Sequence, residues 1–297
     1  MAEQVEMIFF DVQQGNSTYI KSPNGKHIVI DLGAGSFFSF NNKDFSPLLH
    51  LQKQYNVQQL DYVIITHPHK GHIADIMNFV ELVPKALITH PCKFTREEII
   101  KDMVSKTDLP FYERYMAINE YYEQKAEHDY QRDLENSENF GGLKMKLFCL
   151  KKNNSTLYLN NHSIITVLEY ATIKVIITGD NEAPSFKWFL ENHFFAEAIK
   201  NAAILLAPYH GREEGFCKDF VEVVNPRLTV ISDSKYYKEA NKQYDYEDNS
   251  RGWTVHYKEG IIEEDSKTFS TYLDRGALAV TFGWNEANKP FLHTRSI

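Results

Sequence analysis

Tyr62-Val63-Ile64-Ile65-Thr66-His67-Pro68-His69-Lys70-Gly71-His72 is the stretch on which the reading of this chain turns. Its first five residues form an apolar run that reads as a buried strand. Three histidines then fall within six residues, at spacings of two and three. A turn leaving a strand end can aim several side chains at one point, and imidazole is a preferred ligand for zinc and similar divalent metals. The bland alternative is a surface loop that happens to be rich in histidine. The strand-turn-helix order argues against it, because a helical pattern resumes from about His72 to Leu82.

Other chemistry-bearing residues also follow apolar runs. Asp31 ends Ile28-Val29-Ile30, Asp180 follows Ile176-Ile177-Thr178-Gly179, and His210 follows Leu205-Leu206-Ala207-Pro208-Tyr209. For Asp31 and Asp180 an ordinary turn carboxylate is the competing reading, and for His210 a structural histidine. His90 ends a short apolar run and reads as structural or exposed, not as a ligand.

Composition bounds the class. The chain has 297 residues, enough for one large domain or two small ones, and 43% are hydrophobic, enough for a core. No run approaches the roughly 20 apolar residues of a membrane helix, and the start lacks a signal-peptide pattern. Cys92, Cys149 and Cys217 are far apart and odd in number. That disfavours a disulfide scaffold and fits the cytoplasm. The net charge of −8 counts against tight, extended nucleic-acid binding. It leaves room for a nuclease, because bound metals supply local positive charge.

Short strands are expected at 5–11, 17–22 and 26–31, the last two joined by the turn Ser22-Pro23-Asn24-Gly25. Ser46 and Pro47 open a helix to about Tyr55. After a strand at 85–89, residues 93–142 change character. They hold seven Lys/Arg against twelve Asp/Glu, with a helical pattern whose apolar face is Tyr112, Tyr115, Ile118, Tyr122 and Tyr130. They read as a helical insertion over one edge of the site, removable without unfolding the rest and a possible seat for a protein partner. The aromatic stripe reads as core packing in preference to a base-stacking platform. Strands are expected again at 143–149, 164–170, 173–178, 203–207, 228–232, 254–258 and 277–282. Helices are expected at 184–200, 215–224 and 234–241, and Tyr244–Ser250 reads as a mobile loop. Two successive halves of alternating strands and helices suggest two mixed sheets packed face to face with helices outside.

Together these motifs resemble the metallo-β-lactamase superfamily, whose signature is Thr-His-x-His-x-Asp-His. Phe10-Asp11-Val12-Gln13-Gln14-Gly15-Asn16-Ser17, Asn160-Asn161-His162-Ser163, Thr178-Gly179-Asp180 and Pro208-Tyr209-His210-Gly211 are similar to segments of the hydrolase domain of ComEC-type DNA-uptake proteins. The resemblance implies one four-layer αββα metallo-β-lactamase-like sandwich over residues 1–297. It implies one or two divalent metal ions, zinc first, with manganese or iron as alternatives. His67 and His69 would hold one ion, His72 and His210 the other, and Asp180, with two oxygens, would bridge them. Asp180 and His210 would then stand at the catalytic centre, with Asp31 steadying the metal loop from behind.

Two positions depart from the family. Gly71 stands where the signature has Asp, and no third histidine for the first ion is evident. His162 is a candidate for that nitrogen and Asp75, one helical turn beyond Gly71, for the carboxylate; a solvent-exposed helix Asp is the plainer reading of Asp75. Arg212 could steady a phosphate oxygen or be an ordinary surface arginine. Bound divalent metal brings water to a pKa of roughly 7, so hydroxide is available at neutral pH. The implied function is a cytoplasmic phosphodiesterase or nuclease acting on DNA, RNA or a nucleotide. The alternatives are a binding or regulatory subunit weakened by Gly71, and a hydrolase of a small ester, lactone or thioester.

Overall fold

The computed structural model describes residues 3–35, 45–89, 94–101, 103–125, 130–151, 158–234, 242–272 and 276–297. His90, Cys92 and nearly all of the helical piece expected at 234–241 lie outside them. The chain opens with an antiparallel meander of β1 (Gln4–Phe9), β2 (Thr18–Lys21) and β3 (His27–Ile30). The β2–β3 turn closes where expected, with Gly25 at φ 82° and the Ser22 amide donating to the Lys26 carbonyl at 2.9 Å. Helix α1 (Pro47–Gln54) begins at Ser46, whose hydroxyl accepts from the Leu49 amide at 3.1 Å. β4 (Tyr62–Ile64) lies parallel to β3, and after it comes the short helix α2 (Lys70–Ile73).

The helix expected from His72 to Leu82 is instead α2 followed by a 3-10 stretch, Ala74–Leu82. The cause is visible in the backbone. The His72 carbonyl accepts from Leu32 N at 2.8 Å and the Asp75 amide donates to Leu32 O at 2.7 Å, so the end of β3 takes groups an α-helix would use. β5 (Ala86–Ile88) then lies parallel to β4. Helices α3 (Arg96–Ile100), α4 (Leu109–Lys125) and α5 (Tyr130–Glu135) follow, and no strand falls among the described residues of 93–142.

β6 (Lys144–Phe148), β7 (Ile165–Tyr170) and β8 (Ile173–Ile177) form a second meander. The expected helix at 184–200 is two, α6 (Ala183–Leu190) and α7 (His193–Ile199). The break falls at Asn192, whose side chain accepts from the amides of Phe194 and Phe195 and so starts a new helix. β9 (Ile204–Leu206), α8 (Lys218–Val224) and β10 (Leu228–Ile231) come next, with β8, β9 and β10 parallel. Where a mobile loop was expected, α9 (Gln243–Asp248) forms, because Tyr246 is fully buried and packs edge-on against Phe216 at 5.1 Å. β11 (Trp253–His256), β12 (Ile262–Ser266), β13 (Thr268–Ser270), β14 (Leu278–Trp284) and β15 (Pro290–Ser296) complete the chain.

Among the described residues the strands make two mixed sheets, ordered β12-β11-β15-β14-β1-β2-β3-β4-β5 and β13-β10-β9-β8-β7-β6. Three apolar clusters show the layering. Ile28, Ile30 and Ile64 of the first sheet meet Ile177, Ile204 and Leu206 of the second between the sheets. Val29 and Val63 face outward beneath Leu48, Leu51 and Ile118, and Leu205 and Ile231 face outward beneath Phe186, Phe195 and Phe220. Strands apolar on both faces are what a sheet covered on both sides requires. The result is the four-layer αββα sandwich of a metallo-β-lactamase-like fold.

The described residues of 93–142 carry helices and no strand, and they contribute side chains to the apolar clusters. Leu134 and Phe140 lie fully buried in the core between the sheets, and Tyr112, Tyr115 and Ile118 belong to the outer apolar cluster. Among the described residues no helix is long and apolar enough to cross a membrane. Cys217 is a buried free thiol.

Candidate metal centre

Parallel strands of both sheets end at one edge of the sandwich, and the predicted residues sit just past those ends. Asp31 follows β3, the histidine loop follows β4, Asp180 follows β8 and His210 follows β9. Loops on a rigid scaffold are where convergent side chains can be held.

The structure brings His67, His69, His72, Asp180 and His210 together. His67 Nε2 lies 3.6 Å from Asp180 Oδ2 and 3.1 Å from His69 Nδ1. His72 Nε2 and His210 Nε2 lie 3.0 Å and 3.3 Å from the other oxygen, Asp180 Oδ1. The rings of His67 and His72 are 4.2 Å apart and those of His72 and His210 5.4 Å. His67, His72 and Asp180 are buried, with His69 and His210 partly covered.

Each buried ring is held from behind. Asp31, at φ 61°, accepts from Thr66 N at 2.7 Å, Thr66 Oγ1 at 2.8 Å, Asn16 Nδ2 at 3.0 Å and His72 Nδ1 at 2.7 Å. For His67 the backing atom is Ser163 Oγ, 3.1 Å from Nδ1, which also accepts from the Asp180 amide at 3.1 Å. His162 is the metal-binding candidate of that segment by residue type, whereas Ser163, which carries no ligand signal of its own in sequence, is the residue that meets His67. Both Nε2 atoms are thereby turned toward Asp180. Tyr209 and His210 are themselves in the left-handed region, at φ 48° and 57°. Such backbone persists only where its surroundings over-determine it.

The two carboxylates draw positive charge into this buried cluster. Burial opposes charge on His72, yet Asp180 and Asp31 at its two nitrogens raise its pKa to about 10. Burial and the neighbouring His72 hold His67 well below the usual imidazole range. Burial would raise Asp180, but His210, His72 and His67 drive it well below the carboxylate range. Neither His72 Nε2 nor Asp180 Oδ1 makes a hydrogen bond of acceptable geometry, though both are buried. Tetrahedral ligands at about 2.0–2.1 Å from zinc stand roughly 3.3 Å from one another. The donor separations of 3.0–3.6 Å bracket that figure, and the ligand atoms of His67, His72 and Asp180 all lie within 4.8 Å of one another, so this group could hold a divalent ion.

The proposed substitutes for missing ligands are elsewhere. His162 Nδ1 lies 3.4 Å from the Leu150 carbonyl and its ring packs 5.4 Å from Phe94. Asp75 is neither exposed nor at the centre. It is buried and accepts from Ser46 Oγ and Leu48 N, both at 2.9 Å, and from Asn78 Nδ2 at 2.8 Å, so it anchors the start of α1. Arg212 is half-buried, with its guanidinium 5.0 Å from the Tyr209 ring centre. Gly71 is held by close backbone contact: a Cβ there would stand 2.5 Å from the Gln14 carbonyl oxygen.

No curated protein sequence matches the chain. A metallo hydrolase from Ignicoccus hospitalis is 14% identical with a TM-score of 0.46, the alignment covering 95% of this chain and 100% of that one. A long form RNase Z from yeast is 13% identical, TM-score 0.43, over 93% and 42%. A diiron beta-hydroxylase from Streptomyces venezuelae is 10% identical, TM-score 0.40, over 78% and 45%. Likeness at this level selects none of their chemistries. The family match falls where the histidine loop, Asp31 and Gly71 lie: residues 10–94 match the metallo-beta-lactamase superfamily.

Proposed function

We propose that this chain is a metal-dependent hydrolase that cleaves a phosphodiester, in a nucleotide or at an accessible end of DNA or RNA. The observation that carries this reading is the division of donors about Asp180. His67 with His69 stands on the side of one oxygen, and His72 with His210 stands at the other. A divalent metal pair supplies Lewis acidity and activates water at neutral pH, and suits a reaction in which attacking and leaving oxygens must both be held. In this reading His67 and His69 would hold one ion and His72 and His210 the other, with Asp180 as a ligand shared between them. Asp31 and Ser163 fix the rings, and Arg212 steadies a phosphate oxygen.

The net charge of −8 favours a short substrate over a long polyanion. So does a cavity of about 220 Å³ beside His67 and Pro68, lined by Phe94, Tyr115, Asn119 and Glu120, which suits a compact organic group. The free thiol of Cys217 supports a place in the cytoplasm. A second reading, a binding or regulatory subunit, is favoured by Gly71, which leaves the His72 side without a further anionic ligand.

Metal content by mass spectrometry, paired with hydrolysis of bis-p-nitrophenyl phosphate and single-stranded DNA in Mn²⁺ and Zn²⁺, tests the proposal. His67→Ala/His69→Ala is expected to lose about half the bound metal or more, and the activity with it. Unchanged metal content in that variant would overturn the metal assignment. Bound metal without phosphodiester cleavage would favour the regulatory reading, or ester hydrolysis if p-nitrophenyl acetate is turned over.

A further inference from the structure

At the opposite end of the second sheet, the strands β8, β9 and β10 begin around a second cavity of about 450 Å³. Arg227, Arg251, Asn201 and Trp253 line it over an apolar floor that includes Ile173 and Leu292. No carboxylate lines it, although the chain carries 40 Asp/Glu against 32 Lys/Arg. Among the described residues neither arginine forms an ion pair. Arg251 is fixed in place, donating from Nε to the Asn225 carbonyl at 2.9 Å and from Nη2 to the Ala202 carbonyl at 3.1 Å. The Arg227 guanidinium lies 4.7 Å from the centre of the Trp253 ring. Two further main-chain bonds, Arg251 N to Pro226 O at 2.8 Å and Gly252 N to Arg227 O at 2.9 Å, tie the two arginine-bearing segments together. Trp253 Nε1 is buried and makes no hydrogen bond.

Two unpaired guanidinium groups held at one cavity repel each other, and a buried indole N–H without an acceptor is costly. In agreement, burial and Arg227 lower the pKa of Arg251. A single anion between the two guanidinium groups relieves that repulsion. Guanidinium matches the planar, bidentate geometry of phosphate oxygens, and the Ile173–Leu292 floor takes an apolar body.

We propose that this cavity is a second binding site, distinct from the metal centre, for a small phosphate ester carrying a compact apolar or aromatic group. Arg227 and Arg251 bind the phosphate, and the organic group rests on Ile173 and Leu292. Asp180 and His210 follow the carboxyl ends of β8 and β9, whose amino ends frame this cavity, so the inference does not depend on the hydrolase reading.

Phenylphosphonate, which has no hydrolysable ester bond, is the probe, with inorganic phosphate beside it. Titration of the full chain followed by calorimetry and tryptophan fluorescence is expected to show saturable binding of phenylphosphonate, tighter than inorganic phosphate by tenfold or more. Arg227→Gln/Arg251→Gln is expected to weaken it at least tenfold with metal content unchanged. Arg227→Gln alone, at an exposed position, carries the same direction of effect should the double variant fold poorly. Binding weaker than about 1 mM, or equal binding by wild type and Arg227→Gln, would overturn the proposal; the second result would move the anion to the metal centre.

Discussion

At Gly71 the family's carboxylate is excluded by space, not by backbone conformation. Gly71 is absent from the glycines at positive φ, yet its missing Cβ is replaced by the Gln14 carbonyl at 2.5 Å and Gly15 Cα at 3.1 Å. The Gly71 carbonyl in turn accepts from Asn16 N at 3.2 Å. Gly71→Asp therefore cannot restore the ligand in place. It is expected to cost about 1–3 kcal/mol of stability, read as a lower thermal midpoint, without tightening the metal. A variant with an unchanged midpoint and a newly tightened second ion would show that the 13–16 loop yields. Asp31 makes a complementary case. Its oxygens accept from four donors, and Asn offers only one acceptor oxygen. Asp31→Asn is expected to weaken metal binding about 10–100-fold, measured by competition with a chelator, because the His72 ring loses its anchor.

At the scale of elements, the 3-10 stretch after the histidine loop and α1 are joined through Asp75. Burial raises its pKa from 3.8 to about 6, outweighing hydrogen bonds from Asn78, Ser46 and Leu48. A carboxyl raised on folding makes the native state bind more protons than the unfolded chain between about pH 4 and 6, so stability falls as pH rises through that window. The full effect is about 3 kcal/mol. Asp75→Asn cannot titrate, so the free energy of unfolding of wild type minus that of the variant is expected to be larger at pH 4 than at pH 7. Denaturant melts at the two pH values decide it, and a difference independent of pH would refute the assignment.

Across the whole molecule, the stretch 93–142 is a structural layer as much as a wall of the cavity. Deleting 94–142 behind a short linker would uncover Ile118-facing core and remove Leu134 and Phe140 from between the sheets. Loss of a buried leucine or phenylalanine costs about 2–5 kcal/mol each, against a total stability of about 5–15 kcal/mol. The deleted chain is expected to lose cooperative unfolding by circular dichroism. A deletion that melts cooperatively near the wild-type midpoint would show that the sandwich stands alone.

What the amino-acid sequence determined by itself was set by local periodicity and by histidine spacing. The strands β1 to β10, the Ser46 cap and the histidine loop are legible because apolar runs, turn chemistry and short-range ligand patterns are encoded within a few residues. The edge strand β12 was not, because Ile262, Glu263, Glu264 and Asp265 are all exposed and mostly charged, as an unpaired edge favours. Helix α9 was not, because only contact with Phe216 shows that Tyr246 is core. The tertiary structure alone decided which polar residues serve the centre. Asp75 and His162 sit near the motifs in sequence but turn to α1 and to Phe94, whereas Ser163 is 96 positions from His67 and bonds it. It also decided that Gly71 faces the Gln14 carbonyl. Side-chain direction and backbone proximity between distant strands are properties of the packed sheets, and no local pattern carries them.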